Sequence, residues 1–236
     1  MNYLHWSEKT LTDFSPKNIA GAYHGGYVFT RIGKGMMQQT RSLRINLSKF
    51  EMTSENRRIL KKVDGLGLQT ANLPYASYDF SIGKLAKDFY EEKFGIGVMS
   101  AQKVKEMLTD AEKSNFNVLL TYKTDLAGTP LETNALGFAI CYSSKEILHY
   151  SYPFYDLAKA PKDMGLAMMI LAIKYAKESG LKYIYLGSLQ RPTDTYKLQF
   201  EGLEWFDGKT WKTDTEEVKK ILKTLPQERE EKAYIC

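Results

Sequence analysis

Two periods of apolar and polar residues alternate along this chain. Ser42-Leu43-Arg44-Ile45-Asn46-Leu47 repeats every second residue, which predicts a half-buried strand. Leu43 and Ile45 share one face of it, and Arg44 lies with Ser42 and Asn46 on the other. Tyr27 to Thr30 predicts an earlier strand that ends in a turn at Gly33-Lys34-Gly35. A period near 3.6 predicts helices over Ile82–Lys93 and Ser100–Lys113, through Leu85 and Phe89 and then Val104, Met107 and Leu108. Val118–Tyr122, Ala135–Tyr142 and Ile147–Phe154 are apolar runs of strand length, with a turn over Asp125–Pro130 between the first two. Helical spacing returns over Asp163–Ser179 in Leu166, Met169, Ile170, Ile173 and Ala176, and Gly180 ends it. Tyr183–Gly187 is a short buried strand, and Val218, Ile221 and Leu222 mark one side of a last amphipathic helix.

A meander, a crossover helix and a strand parallel to the meander's end predict an α+β fold. Gly65–Ser81 has the mixed composition of a loop, so the expected division is a strand and helix region over 1–70 and a second domain over 71–236.

The chain has 236 residues, 43% of them hydrophobic and 26% charged, which excludes disorder, collagen-like repeats and a coiled coil. No apolar run nears the roughly 18 residues that cross a bilayer, and the first ten residues lack a signal-like stretch. A cytoplasmic protein without a membrane partner is the expectation. Cys141 and Cys236 cannot build a disulfide framework, and His5, His24 and His149 are scattered, so neither a metal site nor a metal cluster is expected. GxSxG, the Walker lysine loop and GxGxxG are absent.

Charge changes the picture at one place. Arg31 to Lys62 holds nine basic and two acidic residues, while the whole chain carries only +5. Arg57, Arg58, Lys61 and Lys62 fall on one helix that Ser54 is placed to cap. Such a face suits a polyanion, and a solvated helix surface has the same composition.

The meander, helix and final strand resemble the GNAT acyltransferase fold, in which the strand after the helix splays away. Its pyrophosphate loop would fall on Lys162-Asp163-Met164-Gly165-Leu166-Ala167, where the glycine and alanine are kept but Lys stands for Arg or Gln and Asp163 is negative. A helix start that needs Gly for close packing explains the same residues.

Longer stretches resemble the aminoacyl-tRNA–protein transferases, the arginyl- and bacterial leucyl-transferring enzymes of N-end-rule degradation. Phe50 through Lys62 is similar to the family's F-x-x-S-x-x-x-R-R-x-L-x-R segment, and Arg41–Ile45 to the strand before it. Tyr152-Pro153-Phe154-Tyr155-Asp156, Tyr183–Gly187 and Tyr196-Lys197 with Phe200 are similar to its Tyr-Asp strand end, its Y-L-G strand and its Y-K-x-x-F segment. The family's cysteine cluster is replaced by Gly35–Thr40, and its Cys-Pro-Lys-Met run by Ser188–Pro192, so no iron–sulfur chemistry is implied and the acceptor pocket departs from the pattern.

The resemblance implies a GNAT-like fold with a basic N-terminal region and a transferase that needs no cofactor beyond aminoacyl-tRNA as co-substrate. The amino acid, arginine or leucine, would pass to a protein's N-terminal α-amine. Arg41, Arg44, Lys61 and Lys62 would meet tRNA phosphates, and Lys197 the 3′-terminal one. Arg57 or Arg58 would pair with an acidic acceptor residue, as suits a guanidinium fork. Tyr152, Tyr185 and Gly187 would line the gap between the splayed strands, with Ser54 beside the substrate. Tyr196 would relay a proton and Asp156 would orient or deprotonate the amine. Core packing is the stronger account of the two tyrosines taken alone, and a strand-end turn explains Asp156 at least as easily. The alternatives are a GNAT-type N-acyltransferase using acetyl-CoA and a non-catalytic tRNA-binding module.

Overall fold

The computed structural model describes residues 4–124 and 135–225; the turn expected at Asp125–Pro130, Cys236 and the polar tail lie outside the described residues. The chain opens with strand β1 (Ser7–Thr10), helix α1 (Pro16–His24) and strands β2 (Tyr27–Phe29), β3 (Met36–Gln39) and β4 (Ser42–Asn46). Helix α2 (Ser54–Lys62), strand β5 (Leu66–Asn72) and helices α3 (Phe80–Phe94) and α4 (Ala101–Thr109) follow. Strands β6 (Val118–Thr124), β7 (Ala135–Ser143) and β8 (Ile147–Tyr155) form the meander, α5 (Met164–Glu178) crosses over it, and β9 (Tyr183–Ser188) returns. A 3₁₀ helix over Pro192–Gln199, strands β10 (Leu203–Phe206) and β11 (Trp211–Lys212) and helix α6 (Thr215–Thr224) complete the order.

Strands β1, β3 and β2 make a small sheet, and the other eight form one sheet in the order β11-β10-β4-β9-β8-β7-β6-β5. Every neighbouring pair in it is antiparallel except β8 with β9. This is the α+β, GNAT-like arrangement expected from the sequence.

Two expectations are corrected. Leu66–Asn72, read as loop, is a strand paired with β6 along its whole length, so residue 70 lies inside β5. Its Leu-Gly-Leu-Gln start alternates, but glycine lowers strand propensity and hid the pattern. Thr53, not Ser54, caps α2: its hydroxyl accepts from Asn56 N at 3.1 Å, and the Asn56 amide reaches back to Thr53 N.

The sheet's alternation sorts the core into two layers. Leu43, Ile45, Leu120, Cys141, Leu148, Tyr150 and Ile184 face α2, α5 and α6. Leu119, Ile140, Ile147 and Tyr185 face α1, α3 and α4. Helix α5 is apolar nearly all round, with Met164, Ala167, Met168, Ile170 and Ile173 at 1% exposure or less. Each large side chain so buried contributes about 1.5–3 kcal/mol, which clamps α5 across the parallel pair.

Candidate functional site: the fork between β8 and β9

The two parallel strands stay together for only three pairs, Ile147 with Tyr183, Leu148 with Ile184 and His149 with Tyr185. Beyond His149 they part, and each arm carries a bulge at once. Ile140 opposes Tyr152 and Cys141 opposes Tyr150, so Ser151 is an extra residue on β8. Arg44 opposes Tyr185 and Ser42 opposes Ser188, so Leu186 and Gly187 share Leu43 on the other arm.

The first bulge inverts the alternation. Tyr150 lies in the layer beneath α5, whereas Tyr152 and Phe154, which would otherwise join it, belong to the layer beneath α3 and α4. Among the described residues, the main-chain groups of β8 past His149 that face β9 have no strand to pair with. Gly187 takes φ +79°, and a Cβ there would meet nothing within 4 Å, so the glycine borders open space.

Three cations flank this gap. Lys197 Nζ donates to the Ser188 carbonyl at 3.0 Å and lies 3.5 Å from Asp194. Arg41 Nη1 donates to the Leu189 carbonyl at 3.3 Å, and burial lowers its pKa. On the β8 side, the Arg31 guanidinium sits 5.7 Å from the centre of the Tyr152 ring, and its Nη2 donates to the Val98 carbonyl at 2.7 Å. Tyr196, beside Lys197, is 46% exposed and close enough to raise the pKa of Tyr150 and Tyr155 electrostatically.

The base of the fork is a buried polar pillar. Tyr185 is fully buried, edge-on to Tyr23 and Trp211, and burial pushes its phenol up to about 12. It supports the gap from below instead of lining it. His149 Nδ1 is 2.9 Å from the Tyr23 hydroxyl, and burial holds the imidazole down to about 3, so it is neutral.

Arg44 does not offer its charge to a phosphate. It is 6% exposed, and its Nε and Nη2 donate to Glu204 Oε2 at 2.7 and 2.6 Å. The rings of Trp211 and Tyr183 cover it at 3.9 and 4.2 Å. The period-two reading turned Arg44 away from Leu43 correctly; β10 then brought a carboxylate to meet it.

Helix α2 packs on α5 and holds its basic face outward. Arg57 and Lys61 are exposed and have no ion pair among the described residues. Arg58 is engaged by Glu55 at 2.5 and 2.7 Å, and that contact lowers the glutamate's pKa. Lys62 pairs with Asp163 at 2.6 Å, at the very start of α5. Ser54 is exposed at the opposite end of α2. Arg57 and Arg58 stand about 7 Å of helix rise from Lys62.

Asp156 caps the turn after β8 by accepting from Ala158 and Lys159 N at 3.0 and 3.2 Å. Partial burial raises its pKa, but these N–H groups and Lys159 outweigh that and leave it below the ordinary carboxylate value. It is ionised at neutral pH, a weak base, and about 13 Å of strand beyond Tyr152. The fork therefore gathers Tyr152, Gly187, Arg41 and Lys197 with Tyr196 beside them, and leaves Ser54 and Asp156 at the margins. Sequence reasoning missed Arg31 and both bulges, and no periodicity signals a bulge in advance.

The start of α5 does not suit a CoA pyrophosphate. Asp163 occupies the N-cap at φ 69° with no side-chain cap hydrogen bond, and Lys62 is already on its carboxylate. A Cβ at Gly165 would come within 3.3 Å of the Tyr155 ring, so close packing explains that glycine. Among the described residues no cluster of three His, Cys, Asp or Glu could hold a metal ion, and no helix is long and apolar enough to cross a membrane.

No protein-family model matches the chain. It is 28% identical over 173 residues to an aspartate/glutamate leucyltransferase of a Ruegeria species, covering 72% of this chain and 60% of that protein. Proteins of the same name match from Cereibacter sphaeroides (26% over 174 residues, 72% and 60% covered) and Methylorubrum populi (28% over 179 residues, 72% and 70%). The chain thus spans about 60% of the length of the first of these relatives. Among solved structures it is similar to a fungal GCN5-related glucosamine N-acetyltransferase region (TM-score 0.48, 9% identity, 84% of this chain and 23% of that one). L-PGS from Bacillus licheniformis has a TM-score of 0.45 at 15% identity, with 74% and 52% covered.

Proposed function

We propose that this chain is an aminoacyl-tRNA–protein transferase that moves an amino acid from charged tRNA to the α-amine of an acceptor protein. The observation that carries this reading is the fork, a gap between bulged strands with cations at its mouth. The relatives' name, aspartate/glutamate leucyltransferase, favours leucine over arginine as the cargo and an Asp or Glu acceptor terminus. Charged tRNA as substrate sets the reaction in the cytoplasm.

The chemistry asks little of side chains. A reference α-amine titrates near pH 7.7–8.0, so an appreciable fraction is neutral at physiological pH. Its nitrogen attacks the ester carbonyl carbon, a C–N bond forms and the carbonyl oxygen becomes negative. Main-chain N–H groups bordering the gap between the parted strands hold that oxygen. The C–O bond to the ribose then breaks, and the proton lost by the amine passes through Tyr196 to the leaving oxygen. Arg41 and Lys197 at the end of β9, with Arg57 and Lys61 on α2, hold the tRNA phosphates. Alignment of amine and ester supplies much of the rate, up to about 7–11 kcal/mol in the best-oriented cases.

The test incubates the full chain with labelled leucyl-tRNA, arginyl-tRNA or acetyl-CoA and peptides that begin with Asp, Glu, Asn or Lys. Label should pass from leucyl-tRNA to the acidic peptides. Label passing only from CoA, or no transfer despite salt-sensitive tRNA binding, overturns the proposal.

A further inference from the structure

Among the basic residues around the fork, Arg31 and Arg41 have no carboxylate partner among the described residues, and Arg31 is the less buried of the two. Arg44 is neutralised by Glu204, Arg58 by Glu55, and Lys62 by Asp163. Arg31 is half-buried, yet no carboxylate lies within 4 Å of its guanidinium among the described residues. Two contacts fix it, the Val98 carbonyl at one N–H and the face of Tyr152. Tyr152 is itself held edge-on by Phe116, with ring centres 5.3 Å apart. A guanidinium has five N–H donors, so this one is rigidly placed with most of its donors unspent.

Its side of the sheet matters as much. Tyr152 and Phe116 belong to the layer of α3 and α4, whereas α2 and α5 lie on the other side. Phosphates held from α2 bring the ester to the gap from the α5 side, so the amine enters from the Arg31 side. We propose that Arg31 recognises the first side chain of the acceptor and binds an Asp or Glu carboxylate through its free N–H edge. This rests on the transfer reading above and replaces Arg57 and Arg58 as the acceptor's partner. An amide of the same shape offers one neutral acceptor and an NH₂ that cannot accept, so it binds more weakly. Partial burial makes such a charged contact stronger than one on the exposed face of α2.

The experiment compares the wild-type chain with Arg31→Gln and Arg31→Lys. Arg31→Gln removes the charge and leaves a shorter polar side chain; Arg31→Lys keeps the charge and loses the fork. Binding of fluorescent peptides beginning with Asp or Asn is measured without tRNA, next to KM and kcat with leucyl-tRNA. Wild type should bind the Asp peptide about 10- to 100-fold more tightly than the Asn peptide, the usual span for a charge-assisted hydrogen bond. Arg31→Gln should bring that ratio near one by raising KM for the Asp peptide, with little change in kcat or thermal midpoint, and Arg31→Lys should recover part of it. An unchanged Asp-to-Asn ratio in Arg31→Gln, or no acidic preference in wild type, overturns the assignment. Because peptide binding is read separately, absence of leucyl transfer refutes the transferase reading and leaves the Arg31 result to stand or fall alone.

Discussion

Replacing Arg44 with Met separates a structural arginine from a phosphate-binding one. Arg44 and Glu204 face each other across β4 and β10, both 9% exposed or less. Removing the guanidinium leaves Glu204 buried and charged without its partner, a loss of about 3–5 kcal/mol. Against a total stability of about 5–15 kcal/mol, that is a large share, and for a chain of this size it lowers the thermal midpoint by about 10 °C. Urea denaturation should show it as a drop in midpoint at constant slope. The double variant Arg44→Met/Glu204→Leu removes both charges and keeps an apolar body between Tyr183 and Trp211, so it should recover at least half of the loss. A coupling energy of about 2 kcal/mol or more is the expected signature of a direct pair. The tRNA affinity of the double variant should fall with salt as steeply as wild type, because no phosphate contact has been removed. A single-variant loss below about 1 kcal/mol, or a shallower salt dependence in the double variant, would refute the reasoning.

Two further outcomes follow from the fork. His149 is held neutral, at about 3 against an ordinary value of 6.5, so below pH 6.5 the unfolded chain binds a proton that the folded chain refuses. Stability is therefore full above pH 6.5 and lost as pH falls, by about 2 kcal/mol at pH 5; denaturation at pH 7 and 5 should show a smaller difference in His149→Gln, and an equal one counts against the assignment. Gly187→Ala should cost about 1–2 kcal/mol from its left-handed backbone, since no atom stands in the way of the new methyl group. A loss above 3 kcal/mol in the same assay would mean that the gap is packed and not open.

Much of the fold was legible along the chain. The meander, α5 and β9 were found from period and length, because their apolar residues are dense. The short strands β1, β3, β10 and β11 were not, since segments of two to four mixed residues carry too little pattern without a marker such as the Gly33-Lys34-Gly35 turn that follows β2. β5 shows the same limit in another form, as its glycine weakens a pattern that β6 completes. The site was legible only in outline: Tyr152, Gly187, Arg41 and Lys197 meet at the fork, but nothing in the order of residues separates Arg44, spent on Glu204, from Arg41.

The amino-acid sequence by itself determined the alternation that buries one side of each strand, the helix that spans the parallel pair, and a concentration of positive charge between Arg31 and Lys62. Those properties are local, set by side-chain type and by repeats of two or of nearly four residues. Tertiary structure alone decided where the strands part, which face Tyr152 turns to, and which cations keep their charge available. A bulge is one residue inserted between partners distant in the chain, so its effect, the inversion of every side chain beyond Ser151, exists only once β7 has set the register.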